Sequence, residues 1–112
     1  MTDHSAAVDA AGTLIRDLAA ATSDPHTAYA GHAELTSVTT SLLALAQHLE
    51  AALEHLARHI ERNDGALPGQ VARQAGGGIR SAEAEARNMV RALGRSVEAL
   101  GRVGPPSPPS AP

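Results

Sequence analysis

Apolar residues recur at helical spacing along most of this chain. The first such run predicts an α-helix from about residue 5 to residue 21, because its apolar positions lie three or four residues apart. Those positions are Val8, Ala11, Ile15 and Leu18. The helix ends at Thr22-Ser23-Asp24-Pro25, and an Asp followed by Pro is also typical of the start of a further helix.

The second run is the longest and predicts a helix from about residue 25 to residue 62, ended by Asn63-Asp64-Gly65. Its apolar positions form a stripe about 80° wide when residues are placed about 100° apart. So narrow a stripe is closer to the seam of a coiled coil than to a helix that is buried on several sides. This leucine stripe consists of Leu35, Val38, Leu42, Leu45, Leu49, Leu53, Leu56 and Ile60.

The third run predicts a helix from about residue 79 to residue 103. Before it lies Gly76-Gly77-Gly78, and three glycines inside a helix would cost about 3 kcal/mol relative to alanine. We therefore expect a flexible joint over about residues 63–78. The alternative is that packing against a close neighbour holds the glycines in a helical conformation.

Length and composition favour a small all-α domain that is completed by oligomerisation. The chain has 112 residues, with 24 alanines, one tyrosine and neither Phe nor Trp, so each buried side chain removes little apolar surface from water. The leucine stripe belongs to a helix of about 57 Å, which a first helix of about 25 Å does not cover. The predicted fold is an antiparallel helical hairpin or a three-helix bundle with a long central helix.

This bundle domain is expected to cover residues 1–103. Residues 104–112 form a Pro-rich tail that we expect to be disordered, because Pro lacks the N–H group that a helix or a sheet requires.

Several classes of protein are excluded or disfavoured by single features. The chain has no cysteine, which excludes disulfide scaffolds, thiol catalysis and cysteine-based zinc sites. Asp3 lies where a secretory signal peptide needs a basic region, and no apolar run approaches the roughly 20 residues of a membrane span. We therefore expect a cytoplasmic protein without a membrane span, with leaderless export as the alternative.

The charged residues are distributed unevenly. All nine basic residues are Arg, a bias typical of a GC-rich genome. Residues 1–64 carry a net charge of −6, from three Arg and nine acids, and residues 65–112 carry +3, from six Arg and three acids. Five of these arginines fall within a stripe about 80° wide on the third helix. This arginine face consists of Arg80, Arg87, Arg91, Arg95 and Arg102, and Arg73 joins it if the helix continues through the glycines.

Three interpretations of the arginine face are open. It is the solvated side of an amphipathic helix, which is favoured because Glu83, Glu85 and Glu98 lie on the same helix. Alternatively it binds an acidic protein partner. Nucleic acid or an anionic membrane surface is the third possibility, and it is disfavoured because the face has no aromatic residue for base stacking.

Histidines form a row on one flank of the second helix, at His48, His55 and His59. His55 and His59 have the spacing of four residues that lets two imidazoles bind one metal ion. No His-Glu-x-x-His or Glu-x-x-His motif completes such a site, so His55 and His59 are minor metal candidates. Histidine is also common as an ordinary edge residue of an amphipathic helix. An edge whose packing depends on pH is favoured over a metal site, because histidine changes its charge at about pH 6.5.

In format the chain resembles the small exported helical hairpins of type VII secretion, which are short, alanine-rich and cysteine-free. Asn63-Asp64-Gly65 lies where that family has a Trp-x-Gly turn, so no residue role is transferred from it. The resemblance implies an exported helical hairpin.

The residues themselves predict a non-catalytic protein, because no arrangement of nucleophile, base and oxyanion donor is present. We expect a helical interaction protein, such as an adaptor, an assembly factor or a regulator, without a cofactor. Its partner would be a second copy bound through the leucine stripe, or another protein. The main alternative is a nucleic-acid-associated protein that uses the arginine face, and a helical-bundle metal protein is a further one.

Overall fold

The structure of the chain is a computed structural model that describes residues 3–62 and 65–102. Within these ranges the chain forms three α-helices and no strand, which confirms the predicted all-α class. The helices are α1 (Ser5–Ala21), α2 (His32–Glu61) and α3 (Gly69–Arg102). The predicted Pro-rich tail lies outside the described residues. The chain divides into two compact units, Met1–Leu35 and Thr36–Pro112, and each is described by itself.

The first unit contains α1, whose bounds agree with those predicted. Before the helix, the Asp3 carboxylate accepts hydrogen bonds from the backbone N–H and the hydroxyl of Ser5, at 3.0 and 2.7 Å. These bonds lower the pKa of Asp3. At the other end, the hydroxyl and the backbone N–H of Thr22 both donate to the Leu18 carbonyl, at 2.8 and 3.0 Å, and the Ser23 hydroxyl donates to the Ala20 carbonyl at 3.0 Å. No residue of α1 is buried.

The second helix begins seven residues later than predicted, at His32 instead of residue 25. The Asp24 carboxylate does accept a hydrogen bond from the backbone N–H of His26, at 2.9 Å, but only a single turn follows. Gly31 directly precedes the helix, and its carbonyl accepts a hydrogen bond from the backbone N–H of Leu35 at 3.0 Å. Glu34 strengthens this start, because its carboxylate accepts from the N–H of Ala30 at 3.2 Å and lies near the positive end of the helix dipole.

The third helix begins ten residues earlier than predicted, at Gly69, and continues through all three glycines. The expected flexible joint over residues 63–78 is therefore replaced by helix from residue 69 onwards, and Asn63 and Asp64 lie outside the described residues. Gly65 has a φ of 95°, the left-handed conformation expected at the end of a helix. The packing of Gly76 accounts for the continuous helix, since Gly76 is buried against α2.

In the second unit, α2 and α3 run antiparallel, because Glu61 contacts Arg80 whereas the earlier Glu50 contacts the later Arg87. The inward positions of both helices alternate by three and four residues, as in a coiled coil. On α2 these are Thr39, Leu43, Ala46, Glu50, Leu53, Ala57 and Ile60. On α3 they are Ala72, Gly76, Ile79, Glu83, Ala86, Val90, Leu93, Val97 and Leu100.

The centre of this seam consists of small residues. Among the described residues the buried hydrophobic side chains are all alanines, namely Ala46, Ala57, Ala72 and Ala86. An alanine methyl removes little apolar area from water, so the hairpin has a weak hydrophobic core for its length.

Candidate interaction surface

One side of the α2–α3 hairpin carries ion pairs between the two helices. The guanidinium of Arg80 donates to both carboxylate oxygens of Glu61, at 2.8 and 2.7 Å. Two turns further along α3, Arg87 donates to Glu50 at 3.1 Å. We call this the ion-pair side of the hairpin, defined by Glu50, Glu54, Glu61, Arg80 and Arg87.

Glu83 holds both arginines in position. Its residue surface is only 7% exposed, and its carboxylate accepts from Arg80 at 2.9 Å and from Arg87 at 3.3 Å. A buried carboxylate without partners would be costly, and here each oxygen has a charged donor. Glu83 thus directs two neighbouring arginines of α3 towards the acids of α2.

The hydrogen bonds of Arg80 shift two pKa values in the directions that favour charge. The bonds that Arg80 donates lower the pKa of Glu61 below its ordinary value, against a smaller opposing effect of burial. The same bonds to Glu61, and then the bond to Glu83, raise the pKa of the Arg80 guanidinium. Glu61 and Arg80 are therefore both charged at neutral pH.

The arginine face predicted from the sequence is divided along its length. Arg80 and Arg87 form the ion pairs of the hairpin. Arg91 donates a hydrogen bond to its neighbour Asn88 at 3.4 Å. Arg95 and Arg102 are exposed, and the structure shows no ion pair for either of them among the described residues. The arginines that are left for an anionic partner are therefore those in the last third of α3.

The opposite side of the hairpin is apolar. On α2, Leu45, Leu49 and Leu56 are 43%, 42% and 45% exposed. At about 100° per residue these three leucines fall within about 40° of one another, and about 140° from the acids of the ion-pair side. The leucine stripe is therefore not centred on the seam between α2 and α3. Its half-buried residues are Val38, Leu42, Leu53 and Ile60, and its exposed residues are Leu35, Leu45, Leu49 and Leu56.

The third helix contributes to the same side. Val71 and Met89 are 45% and 46% exposed, and they fall about 170° from Arg80 and Arg87 on the helix. Since the ion pairs fix the opposite side of the hairpin, these apolar residues of α2 and α3 lie on the same side of it. We call this the apolar side, defined by Leu45, Leu49, Leu56, Val71 and Met89. The interface predicted from the sequence contained residues of α2 only, so Val71 and Met89 were not part of it.

The histidine row and an open cleft of the second unit give weaker evidence for a binding site. The Nε2 atom of His55 lies 3.9 Å from the Glu54 carboxylate, and no group of three or more potential metal ligands occurs in the described part of the chain. An open cleft of about 350 Å³ is lined by Glu61, Ala72, Arg73, Gly76 and Gly77, and one of its two charged residues, Glu61, is already bound by Arg80.

Comparison of the chain with protein-family models, with curated proteins and with solved structures finds no match. Of the helices within the described ranges, none is long and apolar enough to cross a membrane.

Proposed function

We propose that this chain is a non-catalytic helical interaction protein, an adaptor, assembly factor or regulator, that acts as an oligomer. The observation that supports the proposal is the apolar side of the hairpin, where five large apolar side chains from two helices are 42–46% exposed. Large exposed apolar residues gathered on one side of a domain are typical of a site for another protein.

The composition of the seam supports the same proposal. The buried apolar positions between α2 and α3 hold alanine and glycine, and the larger apolar residues of the seam are only half-buried. Each leucine contributes about 1.5–3 kcal/mol when it is moved from water into a protein interior. Further apolar stabilisation is therefore available if another helical surface covers Leu45, Leu49 and Leu56 on the apolar side.

The molar mass of the purified full chain tests the proposal. We expect sedimentation equilibrium to give at least a dimer at about 100 μM, with dissociation on dilution. Leu49→Asp places a charge in the middle of the apolar side and should raise the dissociation constant by at least about 100-fold. Ser37→Asp is the matched control, because Ser37 is an exposed residue of α2 that lies about 100° from the three leucines on the helical wheel.

The two variants separate the interface from the fold. Helical content by circular dichroism should be similar in Leu49→Asp and Ser37→Asp, and only the first should be monomeric. A wild-type chain that stays monomeric at about 100 μM would contradict the proposed oligomer.

A further inference from the structure

The buried residues of α2 do not lie at the centre of its leucine stripe. Ala46 and Ala57 are the two buried residues of this helix, and on the helical wheel they lie about 65° from the centre of the stripe. The displacement is towards Glu50 and Glu61, the acids that bind arginines of α3. The seam therefore runs along a face of α2 that lies between its leucines and its acids.

The third helix shows the same displacement. Its large apolar residues are Val71, Ile79, Met89, Val90, Leu93, Val97 and Leu100. Its buried residues are Ala72, Gly76, Glu83 and Ala86. The centres of the two sets are about 60° apart on the wheel, and the buried set is displaced towards Arg80 and Arg87. Both helices are thus turned away from the orientation that their apolar patterns alone would give.

This orientation keeps the ion pairs together and leaves apolar residues in water. The side chains of Arg80 and Arg87 are 38% and 46% exposed, and ion pairs exposed to this extent contribute little to stability. Leucines turned into the seam would remove much more apolar area from water. Glu83 opposes that turn, because it is 7% exposed and binds both arginines where it lies.

A second packing of the same two helices follows from this balance. If α2 and α3 each turned by about 60° about their own axes, in opposite senses, their apolar residues would fill the seam. Leu49 would then face α3, and Met89 would face α2. Glu83 would reach water at the border of the seam, and Arg80 would move away from Glu61. The ion pairs between the helices and a seam of leucines therefore exclude each other.

We propose that the ion pairs of Glu83, Arg80 and Arg87 hold the apolar side of the hairpin open, and that their loss lets α2 and α3 turn until the apolar residues of both helices form the seam. Glu83 is then a positioning residue for the interaction surface. The inference rests on the proposed function, because it concerns how the same surface is exposed. A protein that binds the apolar side stabilises the open packing, whereas the turned packing hides that side.

Spin labels measure the turn directly, because the chain has no cysteine of its own. Ala52→Cys and Glu85→Cys place one label on each helix, at exposed positions beside the apolar side and away from the seam. The labelled chain is diluted into an excess of unlabelled chain, so that only distances within one chain are measured. In the turned packing the labels approach each other across the apolar residues, and we expect their distance to shorten by about 10 Å.

Removal of the arginines should cause the turn. Arg80→Gln together with Arg87→Gln takes away both charged donors of Glu83, so that this carboxylate gains by moving into water, and the label distance should shorten. Arg91→Gln together with Arg95→Gln is the matched control. It changes the charge of the same helix equally, and neither arginine forms an ion pair with α2 among the described residues. Its label distance should equal that of wild type.

Removal of the acids of α2 gives a second test that leaves Glu83 its donors, in case the arginine variant does not fold. Glu50→Gln together with Glu61→Gln should shift the label distance in the same direction. An unchanged distance in either folded variant, or an equal shift in the control, would overturn the inference. The mass of the unlabelled wild-type chain decides the proposed function separately, because a monomeric chain leaves the distances within it, and hence this inference, intact.

Discussion

Gly76 of α3 lies directly against Ile60 of α2, so that a β-carbon at position 76 would be 3.7 Å from Cγ2 of Ile60 and 3.6 Å from Cγ of Glu61. These are ordinary van der Waals distances, so the site is close without being too tight for alanine. The neighbouring glycines differ, because a β-carbon at Gly77 or Gly78 would meet nothing within 4 Å. Of the three glycines, Gly76 is the one that lies close to α2, and the helix continues through all three.

The glycines of the hairpin are expected to respond to alanine in opposite directions. Gly77→Ala should stabilise the protein by about 1 kcal/mol, because alanine has the higher helix propensity and the site is open. Gly65→Ala is the matched control and should destabilise it by about 1 kcal/mol, because Gly65 has a φ of 95°. Urea unfolding of the two variants measures both effects. A destabilising effect of Gly77→Ala would mean that residues 76–78 are not helical in solution.

Removal of the Glu83 carboxylate should weaken the hairpin. Glu83→Ala takes away the buried acceptor that Arg80 and Arg87 share, and we expect a loss of about 1–3 kcal/mol in the free energy of unfolding. Glu98→Ala changes an exposed acid of the same helix and should have an effect within about 0.5 kcal/mol. Equal losses in the two variants would show that Glu83 does not hold the arginines in place.

The pair of Glu61 and Arg80 should make stability depend on pH in the acid range. The pKa of Glu61 is lowered in the folded chain, chiefly by the hydrogen bonds from Arg80, so its contribution is present above the unfolded pKa and is lost as the pH falls through the folded pKa. Arg80 stays charged throughout. Glu61→Gln should therefore melt at a lower temperature than wild type at neutral pH, and this difference should shrink on acidification. A constant difference from pH 7 to about pH 3 would argue against the ion pair.

Any binding to nucleic acid should depend on the last third of α3. Because Arg80 and Arg87 pair with acids of α2, we expect no retention of the full chain on heparin at about 50 mM salt. Retention that falls steeply with salt and disappears in the double variant Arg91→Ala, Arg95→Ala would instead support the nucleic-acid alternative. Ser81→Ala, an exposed change on α3 outside the arginine face, serves as the control.

The positions of the helices were predictable from the sequence where local signals agree. Helix α1 has the predicted bounds because Asp3 and Thr22 provide hydrogen-bonding groups at its two ends. The start of α2 was placed too early because Asp24 and Pro25 form a typical local start of a helix. In the structure only a single turn follows them. The start of α3 was also predicted wrongly, because it was inferred from the low helix propensity of glycine. The burial of Gly76 against Ile60 is a tertiary contact, which a local sequence pattern does not contain.

The interaction surface was predictable only in part. The leucine stripe was found from its spacing, but which leucines face α3 depends on the seam, and the fully buried seam positions are alanines such as Ala46 and Ala57. Alanine is common throughout the chain, so its positions do not indicate which side of a helix is buried. The pairing of Arg80 and Arg87 with α2 likewise depends on how the two helices are rotated about their axes, which the helical wheel of a single helix does not determine.

The alanine seam has a consequence for how stability varies with temperature. The heat capacity of unfolding rises with the apolar area that is newly exposed to water, and it is about 12–15 cal/mol/K per residue in ordinary domains. The seam encloses no large apolar side chain completely, so unfolding exposes less apolar area per residue and we expect the hairpin to lie at the low end of this range. We therefore expect a comparatively flat stability curve, in which the contact between α2 and α3 weakens less on cooling than contacts made by fully buried large side chains.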